Sequence, residues 1–267
     1  MKKAASFALG CKVNQYESEA IAELFAEKGY EIVGIDEEAD VYVINTCTVT
    51  NFGDKKSRQL IRKVKRQNEN AIGAVVGCYA QTAPKELMEI AGVNLVIGTK
   101  DRAQIVEMVE QYDRANGVEN HVSDIMKERV FEPLSIQKLA NRTRAYLKIQ
   151  DGCSQYCSYC IIPYARGPIR SREPQEVVAE VKRLAENGFK EVVLTGIHVA
   201  SYGKDRRDTS LLDILKQVHE VEGIERIRFS SIEPNVVTEE FAQTMAALPK
   251  VCDHFHLSLQ SGCGKTL

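Results

Sequence analysis

No stretch of the 267-residue sequence approaches the ~20 consecutive apolar residues of a membrane-spanning helix. The opening Met-Lys-Lys-Ala-Ala-Ser-Phe also lacks the longer apolar core of a secretory signal. These two absences exclude a helical span and a signal peptide and make the cytoplasm the expected address. An excess of one charge is missing too: 35 Lys and Arg stand against 37 Asp and Glu, net -2. A chain that holds nucleic acid by bulk charge is thereby excluded, so any such surface has to be local. There is no obvious internal repeat or low-complexity tract. Histidine is scarce, with five in all, whereas cysteine is not, with eight. A hydrophobic fraction of 44% and a charged fraction of 27% are those of an ordinary globular protein long enough for two domains.

The pattern along the chain is α/β twice over. Strands are expected at Ala4 to Leu9, Val41 to Asn45, Ala71 to Val76 and Val93 to Ile97. Helices are expected between them near Asn14 to Lys28, Asp54 to Gln67, Pro84 to Ile90 and Arg102 to Tyr112. Strands alternating with helices imply an open parallel sheet covered by helices, here an N-terminal domain over 1–112. Residues 113–143 are polar and without sustained period, and read as a linker. A second series occupies 144–267. Its expected strands are Ala145 to Gln150, Glu191 to Thr195, Ile227 to Ser231 and His254 to Leu259, with helices near Pro174 to Asn187, Leu211 to Val221 and Thr238 to Leu248. Four such units resemble half of a (β/α) barrel, and the chain stops eight residues after the fourth strand, so an incomplete barrel in a truncated chain is expected.

In a reducing cytosol, cysteines serve metals or catalysis more often than disulfides. Cys153, Cys157 and Cys160 form C-x3-C-x2-C directly after the first strand of the second series. On a loop at the top of a barrel-like sheet that spacing brings three thiolates onto one iron-sulfur cube, and three ligands for four irons leave one iron open. A structural zinc site wants a fourth Cys or His nearby, but His121 stands 32 residues before Cys153 and His198 stands 38 after Cys160. Cys11, Cys47 and Cys78 each follow a predicted strand of the first series. The carboxyl ends of parallel strands share one edge, so these three thiols converge there as candidates for a second cluster, with ordinary buried thiols as the alternative. Cys252 and Cys263 have no partner pattern and read as plain thiols. Gly264-Lys265-Thr266 ends like a phosphate-binding loop, but Leu259 stands where that motif needs Gly.

The C-x3-C-x2-C spacing resembles the radical S-adenosylmethionine superfamily. With both triads the chain resembles the methylthiotransferase family, which joins an N-terminal three-cysteine domain to a radical S-adenosylmethionine barrel. The likeness is carried by Leu9 to Tyr16, Asn45 to Thr50, Gly77 to Gln81, Cys153 to Gly167, Leu194 to His198 and Leu259 to Gly262. Cys-Lys-Val-Asn-Gln and Asn-Thr-Cys-Thr-Val-Thr look like the branch that adds a methylthio group to C2 of N6-threonylcarbamoyladenosine beside the tRNA anticodon. After Gly262 the pattern is lost, and the remainder of the barrel and the family's small C-terminal RNA-binding domain are not present in these 267 residues. The resemblance implies an active parent and an inactive truncated chain.

It further implies two [4Fe-4S] clusters, on Cys11, Cys47 and Cys78 and on Cys153, Cys157 and Cys160, together with S-adenosylmethionine. The expected partners are the tRNA anticodon loop and an electron donor such as a flavodoxin or ferredoxin. Tyr159, just before the third cysteine, corresponds to the side chain that lies against the cofactor's adenine, and Thr195, Gly196 and Glu233 fall at strand ends where cofactor-binding groups collect. On the helix after Cys47, the residues Lys55, Arg58, Arg62, Lys65 and Arg66 fall on one stripe, opposite Leu60, Ile61 and Val64, which suits a phosphate backbone. Arg166, with Arg170 and Arg172, adds charge near the cluster loop. The plain alternatives remain: a core tyrosine, turn and cap residues, a solvated basic face and salt-bridged arginines. So do an isopentenyl-adenosine or ribosomal-protein aspartate substrate, and a non-catalytic zinc-bearing RNA-binding module.

Overall fold

Val41 to Ile44 is four apolar residues in a row with no polar alternation, the pattern of a strand covered on both faces, and all four are buried. The computed structural model describes residues 1–49, 51–136 and 144–266. The chain divides into two compact units, and each is taken by itself.

The first unit holds Met1–Ile136 and Gly152–Pro168. Its strands are β1 (Lys3–Ala8), β2 (Glu31–Ile32), β3 (Val41–Thr46), β4 (Ile72–Gly77), β5 (Leu95–Val96) and β6 (Glu119–Asn120). They form one parallel sheet in the order β2-β1-β3-β4-β5-β6. The helices are α1 (Lys12–Glu27), α2 (Asn51–Gln67), α3 (Cys78–Thr82), α4 (Pro84–Met88), α5 (Ile105–Gln111) and α6 (Ile162–Arg166). Side chains alternate across a strand, so the sheet feeds two cores. Ala4, Val41, Val43, Ala74 and Val76 pack with Ile21 and Phe25 of α1 and Ile105 and Val109 of α5. Ala5, Tyr42, Ile44 and Val75 pack with Ile61 and Val64 of α2 and with Leu87 of α4. This is a three-layer open α/β sheet.

The linker expected over 113–143 divides differently. Residues 113–136 belong to the first unit, and Glu119 and Asn120 pair with Leu95 and Val96 as the edge strand β6. Residues 137–143 lie outside the described residues. A two-residue strand gives no period to read, which is why β2 and β6 escape the sequence pattern.

The second unit, residues 144–151 and 169–266 of the described chain, holds a sheet in the order β10-β9-β7-β8. Its strands are β7 (Arg144–Asp151), β8 (Arg170–Ser171), β9 (Glu191–Gly196) and β10 (Arg226–Phe229), interleaved with α7 (Pro174–Glu186), α8 (Leu211–His219) and α9 (Glu239–Ala247). β7, β9 and β10 are parallel and β8 is antiparallel to β7. The sheet is curled, as in one half of a barrel. The fourth strand expected at His254 to Leu259 does not form: among the described residues that segment has one isolated bridge, Leu257 with Ile232, and Val251 ahead of it bridges Ile227 of β10. The alternating His-Phe-His-Leu-Ser-Leu pattern is that of a strand. A ladder needs a continuous partner, however, and β10 ends at Phe229 before the chain turns at Pro234. Phe255 instead stacks on Phe229, ring centroids 6.3 Å apart.

At the amino end of this sheet, Glu191 accepts from Arg226 Nε and Arg228 Nε, both at 2.8 Å. Burial works to raise the Glu191 carboxyl, but the two guanidiniums outweigh it and hold the group below the usual carboxylate range. Since the folded value lies below the unfolded one, the stabilisation is complete above the unfolded value of about 4.3. It is lost as pH falls through the folded value. Thermal unfolding followed between about pH 6 and 3 should show this slope in the native chain, and Glu191→Gln should flatten it.

Candidate metal and cofactor sites

Three neighbouring strands of the first sheet, β1, β3 and β4, end in register: Ala8 stands beside Asn45, and Thr46 beside Gly77. Cys47 and Cys78 are the next residues after β3 and β4, and Cys11 follows β1 by three, at the N-cap of α1. The carboxyl edge thus brings the three thiols together. Two glycines allow this. At Gly10 (φ +95°) a Cβ would lie 2.6 Å from Cys47 Sγ, and at Gly77 (φ +94°) it would lie 2.3 Å from Asn45 Oδ1. The Asn14 amide ties the ends of β1 and β3, donating to Leu9 O at 2.7 Å and Thr46 O at 3.0 Å.

Behind the thiols lies a buried ionic network. Arg166 of α6 is 0% exposed. Its Nε donates to Cys78 Sγ at 3.1 Å, its Nη1 to Glu17 Oε1 at 2.5 Å and its Nη2 to Asn14 Oδ1 at 2.5 Å. Glu17, also fully buried, takes Arg102 Nη1 at 2.6 Å, and Arg102 pairs in turn with Glu132. Burial pushes the thiols of Cys47 and Cys78 up, and the Arg166 charge opposes this at both. Cys78 is coupled electrostatically to both Cys11 and Cys47. Among the described residues no three His, Cys, Asp or Glu side chains are grouped to hold a single metal ion. The donor set of three free thiols on one edge, two of them buried beside a fixed cation, fits an anionic iron-sulfur cube, whose thiolates span several irons.

The second triad lies on the loop 152–168 of the same unit. Its base is closed where Cys153 N donates to Gly167 O at 3.0 Å, and where a Cβ on Gly152 (φ +71°) would meet Pro168 O at 1.9 Å. Cys153 is buried, Cys160 half-buried and Cys157 exposed. Tyr159 is 71% exposed, which is not the position of a core aromatic, and Tyr156 and Tyr164 beside it stack edge to face.

In the second unit, Thr195 and Gly196 end β9. Thr195 Oγ1 and, at the end of β10, Ser230 Oγ are buried with no hydrogen-bond partner among the described residues. Gly196 packs against Gln150, which would stand 2.8 Å from a Cβ there. Glu233 Oε1 lies 2.9 Å from His198 Nε2, and His198 Nδ1 lies 2.6 Å from Ser201 Oγ. Two orphan hydroxyls and a small residue at strand ends make a polar cradle of the kind an amino-acid-bearing cofactor requires.

Residues 147–266 match the radical SAM superfamily, and residues 3–98 match a family described as uncharacterized protein family UPF0004. The chain is 49% identical, over its whole length, to the threonylcarbamoyladenosine tRNA methylthiotransferase of Bacillus subtilis, covering 59% of it. It is 41% identical to the Aquifex aeolicus protein of the same name, over 99% of this chain and 64% of that one. The chain is thus similar over its whole length to methylthiotransferases. It is also 35% identical to the tRNA-2-methylthio-N(6)-dimethylallyladenosine synthase of Dictyoglomus thermophilum, over 97% of this chain and 59% of that one. It thus spans about three fifths of the methylthiotransferases it matches. A solved radical S-adenosylmethionine methyltransferase, TsrM from Kitasatospora setae, shares the fold with a TM-score of 0.61 at 16% identity, over 93% of this chain and 57% of that one.

The cations expected to face RNA are treated unequally in this chain. Lys55, Arg62 and Arg66 are exposed on α2 and make no ion pair among the described residues. Arg58 is half-buried and donates to Tyr79 OH at 2.8 Å, and Lys65 turns back to Glu69 O. Arg166 is a correction: fully buried among Glu17, Asn14 and Cys78, it has no surface with which to meet a phosphate. Arg170 and Arg172 are buried as well, with Asp151 3.6 Å from Arg170 and Glu180 2.6 Å from Arg172. Asn14 and His198 stand inside the stretches that carry the likeness and Glu17 just beyond one of them, and none of the three is given a site role by the sequence. The signal available for Glu17 is a carboxylate on the buried stripe of α1, four residues from both Val13 and Ile21.

Proposed function

We propose that the protein carrying this chain is a tRNA methylthiotransferase acting at C2 of N6-threonylcarbamoyladenosine next to the anticodon. The observation that carries this reading is one compact unit holding three strand-end thiols and a C-x3-C-x2-C loop. The identity of 49% to a relative named for threonylcarbamoyladenosine, against 35% to one named for the dimethylallyl nucleoside, supports the branch.

In this reading Cys153, Cys157 and Cys160 hold one [4Fe-4S] cluster with an iron open to S-adenosylmethionine, and Cys11, Cys47 and Cys78 hold a second. When bound, the first cluster and S-adenosylmethionine supply the one-electron chemistry that an unactivated aromatic C-H bond needs and acid-base side chains cannot provide. The residues' own parts are binding and orientation. Thr195 and Gly196 offer a hydroxyl and a close backbone approach to the cofactor. His198 orients the Glu233 carboxylate, and Tyr159 presents an exposed ring to an adenine. A flavodoxin- or ferredoxin-like donor supplies the electrons. No described helix is long and apolar enough to cross a membrane, and a tRNA substrate places the work in the cytoplasm.

Nucleoside analysis of tRNA from a strain lacking the gene tests the substrate. Loss of the methylthio group from threonylcarbamoyladenosine alone is expected; loss from the isopentenyl nucleoside instead, or from neither, overturns the assignment. Iron and sulfide in anaerobically purified protein separate this enzyme from a zinc-bearing RNA-binding module.

The basic face of α2 is proposed to meet the tRNA backbone. Lys55→Glu, Arg62→Glu and Arg66→Glu together in the full-length protein should weaken tRNA binding. They should also flatten the slope of log affinity against log salt by about 1 for each phosphate no longer neutralised. Equal affinity and slope at two salt concentrations would retire this surface.

A further inference from the structure

Arg166 is the one expected RNA-binding residue that the structure turns inward onto a thiol triad, and its surroundings give it a different task. A guanidinium has five N-H donors and no acceptor. Here Nη1 donates to Glu17 and Nη2 to Asn14 and Glu17, which fix the plane of the fork, and the Nε-H is directed at Cys78 Sγ at 3.1 Å. Asn14 in turn holds the chain ends at Leu9 and Thr46, and its Oδ1 lies 3.7 Å from Cys11 Sγ. A single cluster of side chains therefore reaches two of the three thiols, Cys78 and Cys11, and the ends of β1 and β3 that present Cys11 and Cys47. Charges within the network balance, two guanidiniums against Glu17 and Glu132, but the member that touches sulfur is the cation.

We infer that Arg166 is a positioning residue for the Cys11, Cys47 and Cys78 centre, holding the Cys78 sulfur by its Nε-H and raising the centre's reduction potential. The inference rests on the two-centre reading above. Reduction adds negative charge to an iron-sulfur cube, so a hydrogen bond to a ligand sulfur and an adjacent buried cation stabilise the reduced form more than the oxidised one. Arg166 ends α6, on the same 152–168 loop that carries the other three cysteines, so one segment both supplies one triad and steadies the other.

The test uses this chain with Cys153, Cys157 and Cys160 replaced by Ala, so that a single centre reports. Arg166→Gln, Arg166→Lys and the pair Glu17→Gln with Arg166→Gln are reconstituted anaerobically with iron and sulfide and titrated by electron paramagnetic resonance. Arg166→Gln should lower the ratio of reduced to oxidised centre about tenfold at fixed potential, equivalent to about 59 mV for one electron. Arg166→Lys, which keeps the charge, should lower it less. The paired variant removes one charge of each sign and leaves Arg102 with Glu132. It should unfold at nearly the temperature of its background yet keep the redox shift, which a merely structural role would not produce; loss of iron from that folded variant would support the same role. An unchanged midpoint with the centre present would overturn the inference and leave the two-centre reading standing. A background that takes up no iron while Arg166 is intact would overturn that reading, and the inference with it.

Discussion

Glu17→Ala should destabilise the first unit by about 3–5 kcal/mol, the cost of breaking a buried ion pair and leaving its partner charged. Glu17 is fully buried and touches both Arg166 and Arg102, at 2.5 and 2.6 Å, and Asn45 Nδ2 also donates to it at 3.3 Å. Its removal takes away the carboxylate that both guanidiniums share, while Glu132 still pairs with Arg102. A typical domain has only about 5–15 kcal/mol in total, so the loss is a large fraction of what the fold has. Glu17→Gln keeps the shape and should sit between the two. Urea unfolding of the chain measures both, and a loss below about 1 kcal/mol for Glu17→Ala would mean that water reaches the network and screens it.

The same network marks where the sequence stops being legible. β1, β3 and β4 can be read because each is an apolar run ended abruptly by Gly or Cys, and their shared carboxyl edge follows from parallel topology alone. The convergence of Cys11, Cys47 and Cys78 needs no more than that. Arg166 cannot be read in this way. It stands in Tyr-Ala-Arg-Gly-Pro, where no period distinguishes an inward from an outward side chain, and its partners Glu17 and Asn14 lie 149 and 152 residues away. Charge beside a cluster loop suggests a phosphate, but a buried carboxylate from another element takes that charge first.

His254 to Leu259 departs from its pattern for a related reason. Its alternation satisfies the local requirement of a strand, but pairing is settled by the neighbour, and β10 is four residues long. Glu119 and Asn120 show the converse, a polar pair with no strand pattern drawn into the sheet because Leu95 and Val96 leave an open edge beside them. In the second unit, Thr195 and Gly196 are found by position at a strand end. His198 is not, since its role depends on Glu233, which reaches it from the far end of β10.

Replacing Cys153, Cys157 and Cys160 by Ala should leave about half of the iron and sulfide that the reconstituted native chain takes up, one [4Fe-4S] centre of two. Each triad is shaped by its own backbone. The three loop thiols fall within eight residues, closed at the base by Cys153 N on Gly167 O. The other three are fixed by the register of β1, β3 and β4 and by the left-handed turns at Gly10 and Gly77, none of which involves a loop cysteine. Arg166 reaches Cys78 from α6, past the last loop thiol, so removing three sulfurs does not disturb that hydrogen bond. The reciprocal variant, Cys11, Cys47 and Cys78 to Ala, should also keep about half of the iron, and it should keep the half that answers to S-adenosylmethionine. In the proposed reading the loop centre would bind the cofactor and its spectrum should change on addition, whereas the strand-end centre should not respond in the same way. Complete loss of iron from either triple variant would mean a single shared site. Full retention in both would mean that the iron sits elsewhere, and the two-centre reading would fall with it.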